Sequence, residues 1–211
     1  MTEELKKIIR GDVDDTAAAR RAYSHDASIF EVVPSAVVYP KNEADLSRLV
    51  HYITERNMVG ADISITPRNG GTCMSGGSLT ESYIVDMSRY FNHIGAVDTA
   101  GRTMSVQGGV MHIDAESRAS AAGLFFAPYT SSRDICGIGG MIGNNASGEK
   151  SVKYGPTSDN VKNLKVMLSD GEVYSFGPLT ARQVEHKRQL PTFEGKLYRE
   201  VTKLIDDNWN L

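Results

Sequence analysis

A segment dense in glycine is the first part of this sequence that could hold a ligand. Residues 67–78 read Pro-Arg-Asn-Gly-Gly-Thr-Cys-Met-Ser-Gly-Gly-Ser, and four of the eight residues from Gly70 to Gly77 are glycines. Glycine loses more conformational entropy on folding than other residues, so this density is expected where the backbone must approach something closely. Several N–H groups can converge on one anion where side chains are missing. The segment therefore predicts a phosphate-binding loop, and the alternative is a mobile surface turn.

The two best-known phosphate loops do not account for this segment. A Walker loop needs a lysine directly after its last glycine, and no lysine follows Gly76 or Gly77. The dinucleotide fingerprint G-x-G-x-x-G needs a spacing that the pairs Gly70-Gly71 and Gly76-Gly77 do not have. A phosphate loop of another kind is indicated.

A second segment of similar composition covers residues 128–148. It mixes glycines with small and hydroxyl side chains, and Asn144 and Asn145 are adjacent in it. A packed protein has little use for two such segments, whereas a long diphosphate ligand with a ring system at one end has a use for both. One segment would hold the pyrophosphate, and the other would line the wall along the rest of the ligand.

Helices and strands alternate around the first segment and must position it. Residues 16–23 predict a short helix. A longer helix is predicted from Asn42, a good N-cap with Asp45 three residues on, because the apolar residues Leu46, Leu49, Val50 and Ile53 recur at helical spacing. Residues 62–66 predict a strand that ends at Pro67, and residues 83–87 predict a second strand.

Downstream, the sequence predicts two hairpins, at residues 94–107 and 164–176, and two helices, at residues 111–122 and 193–211. Asp170-Gly171 is a good turn signal for the second hairpin, and Gly123 is a natural stop for the first helix. The last helix is amphipathic, because four apolar residues are in phase along it: Leu197, Val201, Leu204 and Ile205.

Several short motifs occur in a particular order along the chain from about Tyr23 onward. They are Pro34-x-x-Val37-x-x-Pro40, Pro67-Arg68-x-Gly70-Gly71-Thr72 with Gly76-Gly77, Gln107-x-Gly109-Val110, Ile138-Gly139-Gly140-Met141 with Asn145-Ala146-Ser147-Gly148, Lys153-Tyr154-Gly155, Asp159-Asn160-Val161, and the Asp170-Gly171 hairpin. In this order they resemble the FAD-binding (PCMH-type) domain of the vanillyl-alcohol oxidase / p-cresol methylhydroxylase superfamily. The resemblance is closest to its branch of FAD-linked oxidases, the D-lactate, glycolate and D-2-hydroxyglutarate dehydrogenases.

The resemblance implies FAD as the cofactor and a set of residues that would bind it. The first segment would wrap the pyrophosphate, and the second would run beside the ribityl chain and the flavin. The implied cofactor-binding residues are Pro67, Arg68, Asn69, Gly70, Gly71, Thr72, Cys73, Met74, Gly76, Gly77, Pro128, Ser132, Cys136, Gly137, Ile138, Gly139, Gly140, Asn144, Asn145, Ala146, Gly148, Tyr154 and Val161.

The resemblance also implies how FAD is held and where the chain departs from its relatives. Covalent members carry a histidine in the first segment, where this chain has Thr72, so non-covalent FAD is expected. Thr130 and Gly137 stand where members often have Pro and Thr. The second departure would remove a hydroxyl hydrogen bond from the second segment.

The expected fold class is α+β, with two α/β lobes of the PCMH-type FAD-binding fold. A small parallel-strand lobe would precede a larger, mainly antiparallel-sheet lobe with flanking helices. Residues 1–33 would form lead-in helices, residues 34–91 the first lobe and residues 92–211 the second, with the seam near 89–92. A substrate or cap domain is absent from this division.

Composition excludes several other classes of protein. The formal net charge is −3, which offers no electrostatic reason to bind nucleic acid. No apolar run approaches the roughly 20 residues of a transmembrane helix, and the polar start does not read as a secretory signal. Two cysteines and five scattered histidines show no metal-ligand spacing, so no metal is predicted. A cytoplasmic location is expected.

The predicted function is that of an FAD-binding domain of a D-2-hydroxyacid dehydrogenase such as a D-lactate or glycolate dehydrogenase. Oxidising a small 2-hydroxyacid also needs a base and a cationic clamp for the carboxylate. The resemblance implies that these come from a cap domain, so no residue is assigned as catalytic and the chain alone is expected to be inactive. The alternatives are a flavin-binding subunit completed by a partner chain and an interaction module without cofactor.

Overall fold

The computed structural model describes residues 2–209, and the chain divides into two compact units, of which one ends at Val161 and the other begins at Lys162. The first unit contains helices α1 (Thr2–Ile8), α2 (Ala17–Ala22), α3 (Glu43–Met58), α4 (His112–Ala121), α5 (Ile138–Gly143) and α6 (Ser151–Tyr154), and strands β1 (Asp12–Asp14), β2 (Ala36–Tyr39), β3 (Ile65–Arg68), β4 (Tyr83–Asp86), β5 (Ile94–Asp98) and β6 (Thr103–Val106). The second unit contains strands β7 (Leu164–Met167) and β8 (Val173–Phe176) and helices α7 (Ala181–Arg188) and α8 (Phe193–Asp207).

A four-stranded sheet in the order β1-β2-β4-β3 organises the first part of the chain. Strands β2, β4 and β3 are parallel, and β1 joins β2 antiparallel. Every residue of β2 and β4 is buried, which is typical of parallel strands covered on both faces. One face packs against Leu5 of α1 and Leu49 of α3, and the other against Ala19 and Tyr23 in and after α2. The predicted parallel-strand layer is therefore present.

Helix α3 begins at the predicted residue. The Asn42 side chain accepts a hydrogen bond from the Asp45 backbone N–H, as an N-cap does. Asp45 itself is fully buried, and its carboxylate accepts hydrogen bonds from the backbone N–H groups of Arg10, Gly11 and Lys41 at 2.9–3.0 Å. The carboxylate thus joins α3 to the turn between α1 and β1.

The prediction that the strand at residues 62–66 ends at Pro67 is wrong. Strand β3 starts at Ile65 and continues through Pro67 to Arg68, which pairs with Asp86 of β4. Proline cannot donate a ladder hydrogen bond, so it is tolerated at a sheet edge, and β3 is an edge strand of this sheet. The last two residues of the strand, Pro67 and Arg68, are therefore also the first two residues of the first glycine segment.

The predicted hairpin at residues 94–107 is present as β5 and β6, with a register shift between Ile94 and Val97. Helix α4 follows, and Gly123 beyond its end has a φ of +73°, the left-handed conformation common after a helix C-terminus. Helix α5 was not predicted, because it lies within the second glycine segment. Its Ile138 and Met141 are three residues apart, so they share a face, and both are buried.

The second unit holds the other predicted hairpin and the terminal helix. Strands β7 and β8 pair across a turn in which Gly171 has a φ of +78°. Helix α7 was not predicted; it begins with a capping box between Thr180 and Gln183. Helix α8 ends at Asp207, and the predicted final residues 210–211 lie outside the described residues. Val201 on its apolar face is 52% exposed in this structure.

The division of the chain at residues 34–91 and 92–211 stays a prediction. The predicted fold class is confirmed in its mixture of a parallel sheet, antiparallel hairpins and flanking helices.

Candidate functional site

The two glycine segments, residues 67–78 and 128–148, lie in direct contact within the first unit. A Cβ atom on Gly70 would collide with the Ile135 carbonyl oxygen, and one on Gly137 would collide with the Asn69 side chain. The two segments approach each other at van der Waals distance only because these residues are glycines. The tertiary structure thus brings together residues that are more than sixty positions apart.

A short stretch of backbone from Gly108 to His112 lies against the second segment. Met111 pairs with Gly137 in an antiparallel bridge, and the His112 N–H donates to the Cys136 carbonyl oxygen at 2.9 Å. The Gly139 N–H donates to the Gly108 carbonyl oxygen at 2.9 Å. These bonds fix the start of α5 and the residues before it.

The backbone amides of the first segment remain available to a ligand. Among residues 2–209, no hydrogen bond to an oxygen atom is made by the N–H groups of the five residues from Gly70 to Met74. Amides left unpaired in a turn rich in glycine can converge on an anion. The first segment therefore has the donors that the predicted phosphate loop needs.

Two glycines of the first segment adopt the left-handed backbone conformation. Gly71 has a φ of +65° and Gly76 a φ of +76°, a region in which other L-residues are strained. A Cβ on Gly71 would also collide with the Arg68 guanidinium, and one on Gly76 would come within 3.0 Å of the Phe30 ring. The backbone conformation strongly favours glycine at these two positions, and the neighbouring side chains leave little room for a Cβ atom.

The side chain of Arg68 is occupied by the chain itself. Its guanidinium donates hydrogen bonds to the carbonyl oxygens of Tyr23 at 3.0 Å and His25 at 2.6 Å. Burial lowers the pKa of this guanidinium. The segment that precedes β2 is thereby attached to the end of β3, where the first glycine segment begins.

The two cysteines have opposite environments. A hydrogen bond with the Ser75 hydroxyl, at 3.1 Å, lowers the pKa of the Cys73 thiol, and the Asn144 side chain adds to this effect. Burial raises the pKa of the Cys136 thiol. Both thiols are free.

The ends of the second segment are held by hydrogen bonds to their surroundings. At one end, the His112 Nε2 atom lies 3.0 Å from the Pro128 carbonyl oxygen. At the other, the Ala146 carbonyl oxygen accepts the Thr157 hydroxyl at 2.6 Å, and the Asn145 Oδ1 atom accepts the Ser158 N–H at 2.9 Å. Asn145 has a φ of +45°, a conformation that asparagine tolerates better than most residues.

Two predicted site residues lie apart from the contact between the glycine segments. Tyr154, at the end of α6, packs against Phe125 in a tilted arrangement with ring centroids 5.2 Å apart. Val161 follows the 3₁₀ turn Thr157–Asn160. Within the described range, no hydrogen bond or ring contact joins Tyr154 or Val161 to the first segment.

Sequence reasoning missed the partner of two predicted residues. Asn69 donates from its Nδ2 atom to the Gly108 carbonyl oxygen at 2.9 Å, so this oxygen accepts from both glycine segments. The Asn69 Oδ1 atom is buried and has no hydrogen-bond partner within residues 2–209. The motif around Gln107 and Gly109 was the only signal that this stretch takes part.

The described residues contain no group of three or more His, Cys, Asp or Glu side chains that could hold a metal ion. Within the same range, none of the helices has both the length and the apolar character that crossing a bilayer requires. An open depression lies at the start of α3, lined in part by Lys41, Arg48 and Gln107, and none of the predicted site residues lines it.

The chain is similar in sequence to known flavin-binding domains. A protein-family model described as "FAD binding domain" matches residues 34–177, which include both glycine segments. Over 191 residues the chain is 36% identical to D-2-hydroxyglutarate dehydrogenase of Pantoea ananatis, covering 90% of this chain and 18% of that protein. Over 173 residues it is 35% identical to glycolate oxidase subunit GlcD of Bacillus subtilis, covering 81% of this chain and 36% of that protein. The chain thus spans well under half the length of these relatives.

The fold is similar to that of several solved structures. The structure of 6-hydroxy-D-nicotine oxidase from Arthrobacter nicotinovorans has a TM-score of 0.69 at 24% identity, covering 80% of this chain and 36% of that one. Alkyldihydroxyacetonephosphate synthase has a TM-score of 0.70 at 21% identity, covering 86% of this chain and 35% of that one. Identities this low show a shared fold alone.

Proposed function

Because this chain belongs to the family of FAD-binding domains of FAD-linked oxidoreductases, we propose that it holds FAD non-covalently across its two glycine segments and serves the oxidation of a D-2-hydroxyacid. The observation that carries the proposal is the contact between the two segments, with unpaired amides from Gly70 to Met74 on one side of it. FAD supplies the two-electron acceptor for such an oxidation. The protein supplies binding and orientation.

The residues present fit FAD in three respects. Unpaired amides of the first segment suit a pyrophosphate, which only accepts hydrogen bonds. The backbone of Gly140 is open, because nothing lies within 4 Å of the place that a Cβ atom would take there, and close approach of a ligand requires such a surface. The second segment begins at the buried Pro128 and continues past α5, so it has the length to line the ribityl chain and the flavin ring.

The chemistry of Thr72 supports non-covalent binding of FAD. Thr72 stands in the first segment where covalent members of the superfamily carry histidine, and threonine does not attach to a flavin. Acid precipitation of the FAD-loaded chain should therefore leave the yellow colour in the supernatant. Colour that stays with the washed pellet would overturn this part of the proposal.

The names of related proteins support the substrate class. Proteins similar in sequence include ones named for D-2-hydroxyglutarate, glycolate and D-lactate. Such an oxidation needs a base near the substrate hydroxyl and a cation for the carboxylate. The family resemblance implies a cap domain as the source of both groups, so we assign them to parts of a longer protein or to a partner chain. The chain alone is expected to bind FAD and to turn over a 2-hydroxyacid very slowly.

A partner-completed subunit remains the second candidate, and one observation favours it. The Bacillus subtilis relative is itself named a subunit of glycolate oxidase. A cofactor-free interaction module is disfavoured by the unpaired amides from Gly70 to Met74, which need a ligand or water to replace the hydrogen bonds they lack.

The decisive experiment is a visible absorption spectrum of the purified chain before and after incubation with FAD and desalting. Flavin absorption bands that travel with the protein, at about one FAD per chain, are the expected result. The matched control is FAD in protein-free buffer, carried through the same desalting column. A chain that stays colourless after saturation with FAD would overturn the proposed cofactor site.

A further inference from the structure

We propose that Asn69 is a positioning residue that holds the two glycine segments at the separation FAD requires, and that Gly137 is a glycine because the Asn69 amide occupies the space of its side chain. The inference rests on the proposed function, since it concerns the same cofactor site. It adds a residue that acts through its side chain to a site otherwise built from backbone.

The Asn69 side chain bridges three stretches of backbone. Asn69 directly follows β3 and lies in the first segment. Its Nδ2 atom donates to the Gly108 carbonyl oxygen at 2.9 Å, and the Gly139 N–H donates to the same oxygen at 2.9 Å. A carbonyl oxygen has two lone pairs and can accept both bonds. The first segment, the Gly108 stretch and the start of α5 are therefore joined at one atom.

The backbone of Gly137 does not explain why this residue is glycine. Its φ of −109° and ψ of 150° are extended values that any residue adopts. A Cβ atom at Gly137 would instead overlap the Nδ2, Cγ and Oδ1 atoms of Asn69. The amide therefore accounts for the missing side chain, and the two residues form a complementary pair.

The hydrogen bonds of the Asn69 side chain contribute little net stability, so a positioning role can be distinguished from a purely structural one. Its Nδ2 atom gains one bond, while its Oδ1 atom is buried without a partner in the described part of the chain. An unpaired buried acceptor offsets what one hydrogen bond contributes. Removing the amide should therefore change the melting temperature little and change the spacing of the segments, and with it the affinity for FAD, more strongly.

The test is a double-mutant cycle on the 211-residue chain with N69A, G137A and N69A/G137A. FAD dissociation constants come from flavin fluorescence quenching, and the visible circular dichroism of bound FAD reports how the flavin is held. We expect N69A to raise the dissociation constant roughly fivefold or more, about the effect of one hydrogen bond. G137A should raise it further, and N69A/G137A should bind better than G137A, because the new Cβ then has room.

A control variant matches the first of these changes. N92A removes another asparagine whose Nδ2 atom donates to backbone carbonyls, those of Ser88 and Arg89. It should bind FAD as the unaltered chain does. The proposal is overturned if N69A leaves the dissociation constant and the dichroism unchanged, or if the effects of N69A and G137A simply add.

Failure of this inference is distinguishable from failure of the proposed function. A chain that binds no FAD at all would overturn the proposed function and, with it, the positioning role. Thermal unfolding of the same four proteins without FAD then shows whether the Asn69–Gly137 packing itself exists. A chain that binds FAD but shows no coupling between the two positions overturns only the inference.

Discussion

The Arg68 guanidinium lies 5.1 Å from the centre of the Tyr23 ring and donates a hydrogen bond of 3.0 Å to the Tyr23 carbonyl oxygen. The Tyr23 hydroxyl in turn donates to the buried Asp86 carboxylate at 2.7 Å. Asp86 ends β4, and Arg68 pairs with it across the sheet. Tyr23, which directly follows α2, thus contacts the ends of the neighbouring parallel strands β3 and β4, beside the first glycine segment.

Replacing Arg68 should destabilise the first unit. R68A removes two charge-assisted hydrogen bonds to backbone carbonyls, and each such bond contributes about 1.5–3 kcal/mol, so the free energy of unfolding should fall by at least about 2 kcal/mol. The free energy of unfolding of R68K should lie between those of R68A and the unaltered chain. An ammonium lacks the planar fork of donors that reaches both Tyr23 and His25. Urea unfolding measures the loss. R118A, at an exposed position of α4, is the control, and equal losses in R68A and R118A would contradict the assigned contacts.

Stability should fall at high pH partly because of Tyr23. Burial is the main reason that the pKa of Tyr23 lies above its ordinary value, and the hydrogen bonds with Tyr39 and Asp86 add to it. A raised pKa in the folded state means that only the unfolded chain loses this proton as the pH rises past about 10, so unfolding becomes easier there. In Y23F, the decline of unfolding free energy between about pH 9.5 and 11 should be shallower. An unchanged slope in urea titrations would count against this environment for Tyr23.

Cys73 should react faster with alkylating reagents than Cys136. The Ser75 hydroxyl lowers the pKa of Cys73, whereas burial raises that of Cys136, and the thiolate is the reactive form. Iodoacetamide labelling followed by peptide mass spectrometry measures both rates in one sample. S75A should slow Cys73 and shift its rate profile to higher pH, while the Cys136 rate stays constant. Faster labelling of Cys136 would show that this environment is wrong.

Replacing Asp45 should loosen the attachment of α3 to the start of the chain. In D45N, one carboxylate oxygen becomes an N–H₂ group that faces backbone donors at Gly11 and Lys41. A buried donor without an acceptor costs about 1–3 kcal/mol, so the unfolding free energy should drop by that amount. D62N, at an exposed position before β3, is the matched control and should change it by less than about 0.5 kcal/mol. Comparable stability of D45N and D62N in chemical unfolding would refute the role of this carboxylate.

Elements with local signals were predictable from the sequence. The Asn42 cap depends on a side chain and a backbone amide three residues apart, and the Asp170-Gly171 turn depends on one glycine conformation. Such interactions involve only neighbours along the chain, so the residue types suffice to place them. The order of the glycine motifs was likewise enough to identify the family and the cofactor.

Other elements depended on neighbours that are distant in sequence. Pro67 lies inside β3 because that strand is at an edge of the sheet, and a strand's place in a sheet is not a local property. Helix α5 forms in a glycine-rich segment where Ile138 and Met141 can be buried against Val110 and Ala115. Burial against other elements outweighed the low helix propensity of glycine.

The sequence by itself determined two glycine-rich segments, their order and their spacing, and these predict where a flavin would bind. Only the tertiary structure decided which of these residues meet. The side chain of Arg68 is directed to Tyr23 and His25, and that of Asn69 lies against Gly137. The physical reason is that hydrogen bonds and steric exclusion act over a few ångströms, and residues far apart in sequence come within that range only after the sheet and helices have packed.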